Sequence, residues 1–192
     1  MKFINAASLL VLIGLNACEN AAQQTVASTS GTDGPVLDTA GNLRVPRNYL
    51  TTYETLGSWA VAADSRQGSK EMHIVYASPG TINAYRKTGR WPDGAVLVKE
   101  VRSTVTAPMT TGTVSHPGAL KGWFVMVKDG KNSHPQNKLW GDGWGWSWFD
   151  AAKPLHTTSS DYKVNCRSCH MPAQKTDWIY AQGYPKLTGS LP

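Results

Sequence analysis

Hydrophobic and polar positions in this chain alternate more often than they recur at helical spacing. Ala95 to Val105 is the clearest case. Val96, Val98 and Glu100 fall on one side, and Leu97, Lys99 and Val101 on the other, the two-residue period of a strand. Met72 to Ala77 alternates likewise, with Met72, Ile74 and Tyr76 opposite His73 and Val75. Gly122 to Lys128 (G-W-F-V-M-V-K) predicts a further strand, closed by Asp129-Gly130, a hairpin-type turn. Gly143 to Phe149 (G-W-G-W-S-W-F) predicts another, with Trp144, Trp146 and Trp148 on one face.

Helical signals are fewer. Tyr49, Tyr53, Leu56 and Trp59 recur at helical spacing after Pro46, a residue suited to a first turn. Thr81 to Thr88 predicts one or two turns between Pro79-Gly80 and Trp91-Pro92-Asp93-Gly94. Thr158 or Ser159 caps a helix with Asp161 in its first turn, running to Pro172. A short helix over Asp177 to Gln182 ends at Gly183. Val105 to Leu120, with two prolines and several threonines, reads as loop. The fold class is therefore mainly β (α+β): an antiparallel sheet with an N-terminal helix and a C-terminal helix.

The N-terminal segment follows different rules. Lys2 precedes a nearly continuous apolar run, Ala6 to Leu15, too short for the about 20 residues a membrane span needs, so residues 1–18 read as an export signal. Leu15-Asn16-Ala17-Cys18 resembles a bacterial lipoprotein cleavage site, which makes Cys18 a candidate lipid anchor. Ordinary cleavage between Ala17 and Ala22 is the alternative. Residues 19–45, rich in Ala, Gln, Ser, Thr, Gly and Asp, read as a flexible tether, and residues 46–192 as one domain. Either processing route places that domain in the periplasm, soluble or lipid-anchored. The net charge of +6 is spread along the chain. No lysine or arginine cluster is dense enough for nucleic acid, and a mildly basic surface suits an acidic redox partner or an anionic lipid surface equally.

Cysteine placement changes the picture most. Cys18 belongs to the leader, which leaves Cys166 and Cys169. With His170 they form C-R-S-C-H, the attachment sequence of a c-type haem. Two thiols three apart add to the two vinyl groups of one haem, and the next histidine ligates the iron from one face. A Cys166–Cys169 disulfide is the plain alternative in an oxidising compartment, but it leaves His170 unexplained. The expected cofactor is one covalently attached haem c per chain, with His170 as axial iron ligand. Nothing marks a ligand for the opposite face. Met72, Met109, Met126, His73, His116, His134 and His156 are candidates without a diagnostic position, and Met171 follows His170 too closely to reach round, so an open iron is favoured.

Lys99 shares an inward strand face with Leu97 and Val101. It is either an edge lysine reaching water or an amine set against something. A buried amine can lose its proton and become a nucleophile, able to attack a porphyrin rim under oxidising conditions. Eight tryptophans in 192 residues fit core and haem-cavity walls.

The stretch Tyr85-Arg86-Lys87-Thr88-Gly89-Arg90-Trp91-Pro92-Asp93-Gly94-Ala95-Val96-Leu97-Val98-Lys99-Glu100, the aromatic strand after it, and Cys166-Arg167-Ser168-Cys169-His170 with Asp177 beyond resemble cytochrome P-460, over roughly Arg47 to Tyr184. The resemblance implies a periplasmic, mainly antiparallel-sheet homodimer that oxidises hydroxylamine and binds nitric oxide. It also implies a small cytochrome c or similar periplasmic electron acceptor. Its proximal ligand matches His170, and its lysine bonded to a porphyrin meso carbon matches Lys99. Hydroxylamine oxidisers of the family use a distal carboxylate a little before the haem motif. The nearest acid here is Asp161, the next Asp150, and Asp161 also suits a first helical turn. The related cytochrome c′-beta branch binds diatomic gases in a more apolar pocket without the crosslink. A gas binder of that kind, or a plain electron carrier, is the alternative to an enzyme.

Overall fold

A computed structural model describes residues 35–189 of the chain. The export signal, Cys18 and the tether up to residue 34 lie outside the described residues. The fold is α+β, one six-stranded antiparallel sheet flanked by N- and C-terminal helices. In chain order the main elements are α1 (Tyr49–Thr52), β1 (Glu54–Ala62), β2 (Ser69–Ala77), α2 (Thr81–Thr88), β3 (Val96–Met109), β4 (Gly112–Lys128), β5 (Trp140–Gly141) and β6 (Trp144–Asp150). After them come α3 (Tyr162–Asn165), α4 (Arg167–His170), 3-10 turns at Met171–Thr176 and Ala181–Gly183, and α5 (Pro185–Thr188). The strands lie side by side in the order β1-β2-β3-β4-β6-β5.

Alternation along β3 divides the core between the two faces of the sheet. Val96 and Val98 join Leu43, Tyr49, Val125, Val127, Trp140 and Phe149 on one face. Leu97 joins Leu56, Val75, Met126, Trp144, Trp146, Trp178 and Tyr184 on the other. Val98 and Val125 are completely excluded from solvent, and each such side chain contributes about 1.5–3 kcal/mol of transfer free energy. The second face is roofed by α2 and the C-terminal turns, and the cavity described below lies there.

The structure departs from the sequence-based expectations in six places. The packed body begins before Pro46, because Leu43 is buried and Val36, Leu37 and Val45 pack on the first cluster. The helical spacing over Tyr49 to Trp59 yields only the single turn α1, which has no side-chain cap. Beyond it, Glu54–Ala62 pairs with β2 from Glu54↔Ala77 to Ala62↔Ser69. Ladder hydrogen bonds to the outer edge of β2, which would otherwise be unpaired, outweigh a weak local periodicity. Val105 to Leu120 is not loop but the outer half of a long β3–β4 hairpin, turning at Thr110–Thr111 and closing on Met109↔Gly112. Asp129 does not make a tight hairpin. Its buried carboxylate accepts from the backbone N–H groups of Lys131 and Ser133 and from the Ser133 hydroxyl, starting a longer excursion to β5.

The fifth departure bears on the site. The helix expected through C-R-S-C-H is two single turns, α3 and α4, broken at Cys166 (φ −131°, ψ −43°). Its N-cap is Asp161, not Thr158 or Ser159, and the Asp161 carboxylate accepts the Lys163 N–H at 2.9 Å. Nor does a helix cover Asp177 to Gln182. Asp177 and Trp178 both have left-handed backbone, φ 57° and 69°.

Candidate haem site

The inner face of β1–β4 and the C-terminal turns enclose a cavity of about 460 Å³, walled by Trp59, Val75, Leu97, Phe124, Met126, Ile179 and Tyr184 among others. The size suits a bound cofactor, and the walls are large, flat and apolar. Three of its nitrogen-bearing side chains are His170, Lys99 and His73.

His170 closes the short turn α4. Its Nδ1 lies 2.8 Å from the Trp178 carbonyl oxygen. A carbonyl only accepts, so Nδ1 carries the proton and Nε2 keeps a free lone pair. Metal-ligating histidines are oriented by this kind of contact. Trp146 meets the imidazole edge-on at 4.9 Å between centroids. Burial, opposed by the Trp178 contact, holds the imidazole below its ordinary pKa and so neutral, the form a metal requires.

The Trp178 carbonyl is fixed from outside the cavity. The left-handed Asp177–Trp178 pair persists because Asp177, completely buried, is held at both carboxylate oxygens. One accepts the Trp91 N–H at 2.9 Å and the other Lys128 Nζ at 2.7 Å. The indole N–H of Trp144 donates to the Asp177 carbonyl at 3.1 Å. The W-P-D-G turn and the end of β4 thereby orient His170.

Cys166 is buried in the cavity-side cluster and Cys169 is exposed; both are free thiols. Desolvation pushes the Cys166 pKa up to about 11, which keeps it a neutral thiol. Lys99 emerges from β3 into the cavity, its Nζ 4.4 Å from the centre of the Phe124 ring. No carboxylate among the described residues forms an ion pair with it. Burial depresses its pKa, opposed by negative charge on Cys169, Glu71 and Cys166 where these are ionised. An imidazole with an uncommitted nitrogen and an amine biased toward its neutral nucleophilic form thus enter one apolar cavity, with the Cys166 thiol buried in the cluster on that side and the Cys169 thiol exposed. The donor set fits a covalently attached haem.

The family model for cytochrome P460 matches residues 46–181. The chain belongs to the cytochrome P460 family. No curated protein matches it significantly. Cytochrome P460 proteins typically carry a covalent haem c, are generally periplasmic, and in some members perform haem-dependent nitrogen-oxide chemistry.

Within this cytochrome P460 chain, His170 and Lys99 line one cavity, Cys166 is buried in the cluster on that side, and Cys169 is exposed. Asp161 does not join them. It caps α3 and does not line the cavity. Asp150 does not line it either, and one of its oxygens accepts the Trp148 indole N–H at 3.0 Å. Among the candidate distal ligands only Met126 and His73 reach the cavity; Met109 is 60 % exposed at the hairpin tip. The tryptophans divide as well. Trp123 and Trp140 pack on the opposite face of the sheet, and Trp59, on the misread strand β1, walls the cavity. The Trp178 carbonyl had no signal in the sequence, because a backbone contact depends on conformation and not on residue type.

Proposed function

We propose that this protein is a periplasmic c-type haem oxidoreductase that oxidises hydroxylamine and handles nitric oxide. The carrying observation is that His170 and Lys99 enter the same apolar cavity, with no partner for His170 Nε2 and no ion pair for Lys99 among the described residues. Cys166 and Cys169 would hold the haem through its vinyl groups, His170 would ligate the iron, and Lys99 would bond the porphyrin edge. When bound, the haem supplies an open iron position for a small nitrogen ligand and a path for single electrons.

The remaining roles belong to the chain. Trp178 and Asp177 keep the His170 ring in one orientation and one tautomer. Trp59, Leu97 and Phe124 exclude bulk water and admit only a small substrate. Overall, two hydroxylamines give one nitrous oxide and one water, releasing four protons and four electrons. The electrons pass to a periplasmic acceptor such as a small cytochrome c. A homodimer, and a lipid anchor at Cys18, complete the proposal.

A second reading has one observation in its favour: no carboxylate lines the cavity among the described residues. That suits a nitric oxide binder of the cytochrome c′-beta kind. Purified holoprotein given hydroxylamine and a one-electron oxidant decides between the two. Turnover above that of free haem, with the Lys99 tryptic peptide travelling with the haem in mass mapping, supports the oxidoreductase. Stoichiometric gas binding without turnover or a third covalent bond supports the alternative.

A further inference from the structure

We propose that His73 is the proton-accepting residue of this cavity, in the place of a carboxylate; the inference rests on the hydroxylamine-oxidising reading above. Strand register gives its position. Trp146, which touches His170, pairs with Met126, and Met126 pairs with Leu97, so His170 lies at the level of Leu97. The next cavity-facing level along the sheet holds Val75, Lys99 and Phe124, and the one after it holds His73 opposite Val101. Each level is about 7 Å from the last. His73 therefore lies beyond Lys99 as seen from His170, at the far part of the wall of the same cavity.

The ring is oriented for the task. His73 Nε2 lies 3.3 Å from Glu71 Oε2, and Glu71 Oε1 accepts Lys121 Nζ at 2.6 Å. The Lys121 ammonium, and secondarily the His73 contact, keep Glu71 ionised and below its ordinary pKa. An ionised carboxylate only accepts, so the proton of neutral His73 resides on Nε2 and the Nδ1 lone pair is uncommitted. This is the base-plus-orienter arrangement of acid–base sites.

The charged groups facing the ring are Glu71 on its own strand, Lys99 from β3 and Lys121 from β4; its β1 neighbour, Trp59, is uncharged. Burial first, then the Lys99 cation, hold His73 below the ordinary imidazole pKa, while Glu71 opposes them. His73 is thus neutral and ready to accept near pH 7. Bonding of Lys99 to the porphyrin would remove that cation and with it the part of the lowering that Lys99 causes.

For each electron that leaves hydroxylamine for the external one-electron oxidant, one N–H or O–H bond breaks and its proton passes to Nδ1. The imidazolium, stabilised by Glu71, then returns the proton to water beside Lys121, whose side chain is 48 % exposed.

The test uses ferric holoprotein as wild type, His73→Gln and Glu71→Gln. The first readout is the pH dependence of cyanide binding, because hydrogen cyanide must give up its proton to a base as it binds. The wild-type rate should rise through one ionisation. That ionisation should disappear in His73→Gln and move to lower pH in Glu71→Gln, since the carboxylate that raises it is gone. Hydroxylamine turnover in His73→Gln should fall about 100-fold, the scale of a lost general base. An unchanged cyanide profile in His73→Gln overturns the proposal. So does a resting six-coordinate spectrum that reverts to five-coordinate on that substitution, which would make His73 an iron ligand. Should His73→Gln fail to assemble with haem, an unshifted profile in Glu71→Gln overturns it equally. Absence of wild-type turnover sinks the hydroxylamine reading alone, and the cyanide profile still decides the role of His73.

Discussion

Substituting Asp177 tests whether His170 is oriented by a buried ion pair lying outside the cavity. Asp177 is 2 % exposed at its side chain and Lys128 13 %, so little solvent screens the pair. Asp177→Ala leaves the Lys128 ammonium buried without a counter-charge, a loss on the order of 3–5 kcal/mol for pairs of this kind. It also puts a less tolerant residue at φ 57°, where the left-handed conformation costs about 1–2 kcal/mol. Asp177→Asn keeps the left-handed tolerance and an acceptor for the Trp91 N–H, and loses mainly the charge-assisted bond to Lys128, about 1.5–3 kcal/mol. Urea unfolding of the ferric holoprotein should therefore rank wild type, Asn and Ala in that order. A second readout separates orientation from bulk stability. Displacing the Trp178 carbonyl weakens the Nδ1–H bond of His170, makes the imidazole a poorer donor, and should raise the haem reduction potential in both variants. Equal stability of all three proteins, or destabilisation with an unmoved potential, would refute the reasoning.

Three further outcomes follow from the packing and electrostatics. Gly122→Ala should cost about 1–3 kcal/mol in urea unfolding, because an added Cβ would lie 2.2 Å from the Phe149 carbonyl oxygen and 2.6 Å from the Trp148 ring; a cost below about 0.5 kcal/mol would mean the β4–β6 register yields freely. Glu100→Gln should destabilise by about 1.5–3 kcal/mol, since this buried carboxylate accepts from Tyr49 and from Arg102 Nε at 2.7 Å, yet the haem spectrum should stay unchanged because Glu100 faces away from the cavity. Stability should fall as pH drops below about 6.5. His73 and Glu71 both have depressed pKa values in the fold, so the unfolded chain binds more protons there. The His73 contribution fades as pH falls from the ordinary imidazole pKa through the depressed one, and the Glu71 contribution fades lower, through its own depressed pKa; urea midpoints at pH 8, 6 and 5 in wild type and His73→Gln should differ in slope chiefly across the histidine range.

What could be read from the sequence was what depends on residue type at short range. The period of two along Val96 to Val101 put Lys99 with Leu97 and away from Val98, and the cavity confirms that face. C-R-S-C-H needs only spacing. Glu54–Ala62 was misread because its strand character comes from β2, not from its own residues. Val105 to Leu120 was misread because Pro108 and Pro117 are turn signals in isolation yet tolerable in a hairpin's outer half, at Pro108↔Thr113 and Thr104↔Pro117. His73 was visible as a histidine on an alternating strand. Its partner Glu71 was not, because the Lys121 that fixes it is brought close only by folding.

β3 carries two neighbouring ionisable residues that face opposite ways, and the fold treats them differently. Glu100 is fully buried but satisfied by Tyr49 and Arg102, with Trp123 Nε1 donating in turn to the Tyr49 hydroxyl at 2.9 Å. Lys99 has the Phe124 ring and no carboxylate partner among the described residues. A chain selected for stability alone would place an aliphatic residue there, as it does at Leu97 and Val101 of the same face. Local rules are broken in this way where function requires it. Lys99→Leu should accordingly raise the urea midpoint of the haem-free chain, because burial no longer desolvates an amine. In the holoprotein it should leave the haem attached through Cys166 and Cys169 alone, with no residue-99 peptide travelling with the haem in tryptic mass mapping. A Lys99→Leu chain less stable than wild type without haem would show that the amine is satisfied by the fold itself, and would remove the reason for assigning it to the porphyrin.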